Sequence, residues 1–148
     1  MLRISLILAA FLTPSIVSAG DSEWSSGWGQ GVSEAWVTQG AGNQIMAFCD
    51  NGGTLEDPAG IRFMIGGDSP VKDRVVLVFD NAPPIQVTLD DGVITSNCHA
   101  CMSNYEYIIG MLKRHNQVHV MTDTGQTATF TLRGSREAIS DCVPGFAR

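Results

Sequence analysis

Apolar and polar residues alternate with a period of two through most of this chain. In Thr127-Ala128-Thr129-Phe130-Thr131-Leu132 the threonines fall on one face and Ala128, Phe130 and Leu132 on the other, the pattern of a half-buried strand. Just before it, residues 117–121 place Val118 and Val120 on one side, and Thr122-Asp123-Thr124-Gly125 supplies turn residues. The two segments predict an antiparallel hairpin. Residues 85–89 alternate in the same way, preceded by the apolar run 75–79 and the breaker Asn81-Ala82-Pro83-Pro84, which predicts a second hairpin. Residues 61–65, 44–49 and 32–38 complete a series of short strands separated by Gly, Asp, Pro and Asn.

Two segments switch to helical spacing. Tyr105, Ile108, Ile109 and Leu112 follow i, i+3, i+4, i+7 and predict a helix of about three turns. Ser103 and Glu106 stand at capping-box spacing, and Lys113, Arg114 and His115 complement its carboxyl end. Ser135 is placed to cap a shorter helix in which Ala138, Ile139 and Cys142 share a face before Pro144 stops it. The fold class expected is mainly β: an antiparallel β-sandwich or curled sheet with two short helices, braced by disulfides.

The amino terminus departs from both periods. Met1-Leu2-Arg3 is a short cationic start, residues 4–12 are almost unbroken apolar, and Val17-Ser18-Ala19 offers small residues before Gly20. These are the parts of a secretory signal peptide, residues 1–19, cleaved after Ala19. The apolar run is too short to cross a bilayer, and no later stretch approaches the ~20 apolar residues a span needs. Residues 20–31, rich in Ser and Gly, read as a flexible lead-in on which Trp24 and Trp28 dock against the body. Residues 32–148 then form a single β-sandwich-like domain. Localisation in the periplasm or secretion follows, with no transmembrane span.

Charge narrows the partners. The whole chain carries a formal net charge of −6, and losing Arg3 with the leader makes the mature chain more acidic still. Nucleic acid is therefore not an expected partner, and attachment to anionic lipid is disfavoured.

All four cysteines, Cys49, Cys98, Cys101 and Cys142, lie beyond the leader. An even number in an exported chain predicts two disulfides, and three pairings satisfy the count. Joining Cys49 to Cys142 would contribute about 4.5 kcal/mol by loop entropy, and closing Cys98 to Cys101 about 2 kcal/mol.

Cys98-His99-Ala100-Cys101 stands just before the predicted helix, where backbone amides and the helix dipole would favour a thiolate. A redox centre of the thioredoxin type would follow a parallel strand in a βαβ unit, which the surrounding hairpins do not supply, so a structural disulfide is the simpler expectation. Cys98, His99 and Cys101 also form a weak metal-ligand set, with Met102, His115 or His119 as further donors, but no second ligand pair stands at a matching interval. Covalent haem attachment needs a histidine where Met102 stands. His119 alternates with Val118 and Val120 and should face away from the core, and His115 is most simply a helix-end cation.

Packing is the expectation for Trp24, Trp28 and Trp36, unless Trp24 and Trp28 are exposed and mark a partner surface. Gly66-Gly67-Asp68-Ser69-Pro70 is a turn without the lysine of a phosphate loop, and no GxSxG elbow occurs. Asp90-Asp91-Gly92 lacks the spaced oxygen ligands of a calcium loop and reads as a hairpin turn. No catalytic residue, cofactor or metal site is expected.

Val76-Leu77-Val78-Phe79-Asp80, the closely spaced Cys98 and Cys101, the helix through Leu112, the hairpin after it, and Phe130-Thr131-Leu132-Arg133-Gly134 followed by Ala138 together resemble the invasion-associated locus B family of small exported bacterial proteins. Cys49 at the end of an early strand fits the same pattern, and the resemblance runs over residues 75–139. It implies a periplasmic or surface-associated, non-enzymatic β-sandwich of a Gram-negative bacterium, linked in some members to host-cell entry. The expected function is binding to a protein partner in the envelope or on a host or competitor cell. The alternatives are a thiol-disulfide or metal-handling protein using Cys98-His99-Ala100-Cys101, and a periplasmic inhibitor or immunity protein.

Overall fold

The computed structural model describes residues 23–53, 55, 58–67 and 71–139. The signal peptide expected over residues 1–19, together with Cys142 and Pro144, lies outside them. Among the described residues two antiparallel sheets make a β-sandwich-like body. The five-stranded sheet runs in the order β1 (Ser25–Gly29), β2 (Val32–Thr38), β3 (Gln44–Asp50), β4 (Ala59–Met64) and β7 (Val93–Thr95). The four-stranded sheet runs in the order β6 (Ile85–Thr88), β5 (Arg74–Phe79), β8 (Gln117–Thr122) and β9 (Thr127–Thr131).

Register follows from the alternation. In the second sheet Leu77 lies opposite Val120 and Phe79 opposite Val118, while Val118 faces Phe130 and Val120 faces Ala128. Every one of these side chains is buried, because a slip of one residue would turn the whole set to solvent. From the first sheet Ala35, Val37, Ile45, Ala47, Ile61 and Phe63 join them in one hydrophobic cluster. The helix α1 (His99–Arg114) adds Tyr105, Ile108, Ile109, Met111 and Leu112 to that cluster. It packs against β7 and against the one-turn helix α2 (Ser135–Ala138).

Several local expectations change. Ser25–Gly29, within the segment read as a flexible lead-in, is a strand. Gln30 and Gly31 both take positive φ, 52° and 86°, which is the backbone of a two-residue type I′ hairpin turn. That turn brings Ser25 opposite Trp36 and Gly29 opposite Val32. Trp24 does dock on the body: it is buried, and its indole Nε1 donates to the Thr131 carbonyl at 3.1 Å. Trp28 does not, with 74% of its surface exposed.

Asp90-Asp91-Gly92 is a turn, as expected, with Asp91 and Gly92 at positive φ and Asp90 bridged to Val93. The short strand β7 that it introduces was not legible, because three residues are too few to show a period. β7 closes on β4 through a close approach at Gly60, where an added Cβ would run into the Val93 side chain of β7 and lie 2.7 Å from Phe48 Cζ of β3. The Phe48 ring thus covers the bare glycine opposite it, and the Arg62 guanidinium sits 5.8 Å from the ring centroid.

The capping box at Ser103 and Glu106 is not formed. The helix starts five residues earlier, with Cys98 rather than Ser103 as its N-cap, and Ser103 Oγ donates to the His99 carbonyl at 3.2 Å from within the helix. Sixteen residues are helical, one full turn more than the apolar spacing alone indicated. At α2 the N-cap is Gly134 at φ 79°, and Ser135 instead turns inward, donating from Oγ to the Leu112 carbonyl at 2.8 Å. That bond fastens α2 to α1. Among the described residues no helix is long and apolar enough to cross a membrane.

Candidate functional site

The residues singled out by chemistry fall in separate places. Cys98 and Cys101 are joined in a disulfide with their Cα atoms 4.9 Å apart, as closely spaced half-cystines at a helix start allow. Cys98 Sγ also accepts the backbone N–H of Cys101 at 3.1 Å, which satisfies one of the amides left without a partner in the first helical turn. No acidic side chain stands in that turn. Cys98, His99 and Ala100 are exposed, and Cys101 and Met102 are half-buried.

Cys49 is remote from that pair in environment. It is wholly buried in β3, itself disulfide-bonded, and its sulfur lies 3.6 Å from the Tyr105 hydroxyl. With Cys98 and Cys101 joined to each other, Cys142 is the remaining cysteine of the sequence. Burial pushes the Tyr105 hydroxyl well above its ordinary range. A metal at Cys98, His99 and Cys101 would require the bridge to be reduced first, since the thiolate is the ligand. Among the described residues no group of three or more His, Cys, Asp or Glu side chains converges as a metal site.

His119 points outward from β8, as its alternation with Val118 and Val120 requires, and its Nδ1 hydrogen-bonds Thr129 Oγ1 at 2.9 Å. His115 does more than follow the helix. It is the C-cap of α1, its Nδ1 lies 2.9 Å from Asp80 Oδ2, and its ring stacks at 5.4 Å from Phe79. The hydrogen bond from His115, the largest influence, holds the Asp80 carboxyl below the usual carboxylate range; desolvation opposes it, and the backbone N–H groups of Asn116 and Gln117 add further pulls downward. Asp80 reaches them from φ 46°, a conformation Asp tolerates better than most residues. Asp80 also lines an open polar cleft of about 570 Å³, with Asn81, Gln117, Thr129 and Thr131 among its other residues. Sequence reasoning missed Asp80; the Asp-Asn-Ala-Pro-Pro turn placed it at a strand end but could not say what it faced.

Two further hollows are lined by residues of sheet edges. One of about 510 Å³ is bordered by Gly29, Gln30, Val32, Glu34 and Leu55, at the β1–β2 turn. Leu55 is 47% exposed there, and Trp28 immediately precedes Gly29. The other, of about 320 Å³, lies at the β6–β7 turn and is lined by Thr88 at the end of β6, Leu89 and Asp90 of the turn, Val93, Ile94 and Thr95 of β7, and Cys101 and Asn104 of α1.

No curated protein and no solved structure matches the chain. The model of the YfjT family matches residues 22–139, which takes in every strand and helix described above, and the chain belongs to the YfjT family.

Proposed function

We propose that this protein is an exported, disulfide-braced β-sandwich that works by binding a protein partner in the envelope or on the surface of another cell, and that it has no turnover of its own at this surface. The observation that carries the reading is Trp28, 74% exposed on the edge strand β1 with Leu55 exposed at the neighbouring hollow. A solvated tryptophan retains a large area to bury, and tryptophans concentrate binding energy at protein interfaces. Among the described residues no strand lies on the outer side of β1, and an edge strand of this kind can pair with an added chain. The leader-like residues 1–19 and two cystines support an oxidising destination. The resemblance to the invasion-associated locus B family supports a Gram-negative envelope and, within it, association with host cells.

The test is in-cell crosslinking of the native protein against Trp28→Ser and Leu55→Ser variants. A crosslinked protein species that is lost in both variants, while their unfolding midpoints match the parent, supports the reading. A species that survives both changes places the contact elsewhere and overturns the role given to this edge.

A further inference from the structure

The described half-cystines sit in opposite environments, Cys49 in the core and Cys98 and Cys101 towards the surface. Cys49 is disulfide-bonded and itself wholly buried, with its sulfur beside the Tyr105 hydroxyl. In the Cys98–Cys101 bridge Cys98 is exposed, and Cys101, half-buried, borders the hollow at the β6–β7 turn. We propose that Cys98–Cys101 is an exchange-competent disulfide that oxidises dithiols in extended segments of client proteins, with Cys101 as the sulfur attacked and Cys98 as the leaving thiolate. This goes beyond the binding surface at Trp28 and does not rest on it.

Two features of the site assign the roles. The hollow touches Cys101 and not Cys98, so Cys101 is the half-cystine next to a client segment lying in it. Cys98, for its part, is the N-cap of a sixteen-residue helix without an acidic residue in its first turn. Its sulfur already accepts the Cys101 N–H, so the negative charge that develops on it when the bond breaks meets a donor and the positive end of the helix dipole. A better-stabilised leaving thiolate departs faster.

The first step forms a bond from the client sulfur to Cys101 Sγ and breaks the Cys98–Cys101 bond, leaving Cys98 as the thiolate. The client's second thiolate then attacks the client sulfur of this mixed disulfide. A client disulfide forms, Cys101 leaves as a thiolate, and the two protons given up by the client thiols are balanced by protonation of the two protein sulfurs. Two electrons pass from the client dithiol to the protein cystine. Leu89, Val93 and Ile94 in the cleft favour an apolar stretch beside the client cysteine, and Asp90 on its wall disfavours an acidic one.

The oxidised wild-type protein is mixed with a short uncharged valine-rich peptide carrying one cysteine, and separately with glutathione, and the adducts are mapped by mass spectrometry after alkylation. The peptide is expected on Cys101 with Cys98 free, forming at least about tenfold faster than the glutathione adduct because glutathione is acidic and lacks apolar contacts. A two-cysteine version of the peptide should be oxidised one molecule per protein, and not at all by a Cys98→Ser/Cys101→Ser variant. Attachment chiefly at Cys98, no preference over glutathione, or a dithiol peptide that stays reduced would each overturn the proposal. None of these results bears on Trp28, whose variants leave this cleft untouched.

Discussion

Tyr105 of α1 sets its hydroxyl 3.6 Å from the sulfur of Cys49 in β3, with both side chains buried. The helix is thereby seated on the cystine that braces the first sheet. A buried hydroxyl also makes the fold sensitive to alkali. The folded state holds the Tyr105 proton above the ordinary tyrosine value of about 10, whereas the unfolded chain releases it there. The unfolded state then binds fewer protons, and stability falls as pH rises past about 10. Urea unfolding between pH 8 and 11 should show that decline, and Tyr105→Phe should flatten it.

Replacing Cys49 with Ser removes the buried bridge and should cost about 2–5 kcal/mol, the usual range for a native disulfide in a small domain. Replacing Cys98 and Cys101 together releases only a short loop and a helix cap, and should cost markedly less. Denaturant midpoints of the two variants, compared under identical oxidising conditions, check the order.

Asp80 behaves in the opposite sense to Tyr105. Its carboxyl is held below the ordinary value by His115, so the stability it contributes is present above the unfolded carboxylate pKa of about 4 and is lost as pH falls through the lower folded value. Asp80→Asn keeps a residue that accepts φ 46° and removes the charge together with one of the two acceptor oxygens. The thermal midpoint of this variant should lie below that of the parent at neutral pH, and the two should converge in strong acid.

Gly60→Ala should destabilise by about 1–3 kcal/mol, because its Cβ would meet the Phe48 ring at 2.7 Å and crowd Val93. Phe48→Leu in the same chain should recover part of the loss, since the two positions are in contact. A double-mutant cycle in guanidinium measures the coupling.

The two amino-terminal tryptophans should separate cleanly. Trp24→Ala empties a buried site and should cost about 3–5 kcal/mol. Trp28→Ala touches a side chain that is mostly solvated and should change stability by no more than about 0.5 kcal/mol. Acrylamide should quench the emission lost in the second variant and spare most of that lost in the first.

The parts of the fold legible in the residues are those with a period. Residues 85–89 and 127–132 alternate over enough positions to declare a strand and its buried face, and Val118 and Val120 declare the outward side of His119. The parts that were not legible depend on single residues in special conformations or on contacts made late in the chain. Gln30 and Gly31 turn a glycine-rich segment into a hairpin, yet Gln at positive φ has no strong sequence signature. Cys98 outcompetes Ser103 as N-cap because a sulfur is a weak cap in isolation and is held here by its own bridge. Cys98-His99-Ala100-Cys101 was visible as chemistry, whereas the cleft beside Cys101 depends on β6 and β7, which belong to different sheets.

Export into an oxidising compartment underlies both the bracing and the surface proposed for binding, and non-reducing intact-mass analysis of the protein taken from its own cells tests it directly. The expected species begins at Gly20, takes up no alkylating reagent before reduction, and gains label at all four cysteines afterwards. A species that begins at Met1 and labels at every cysteine without reduction would contradict it.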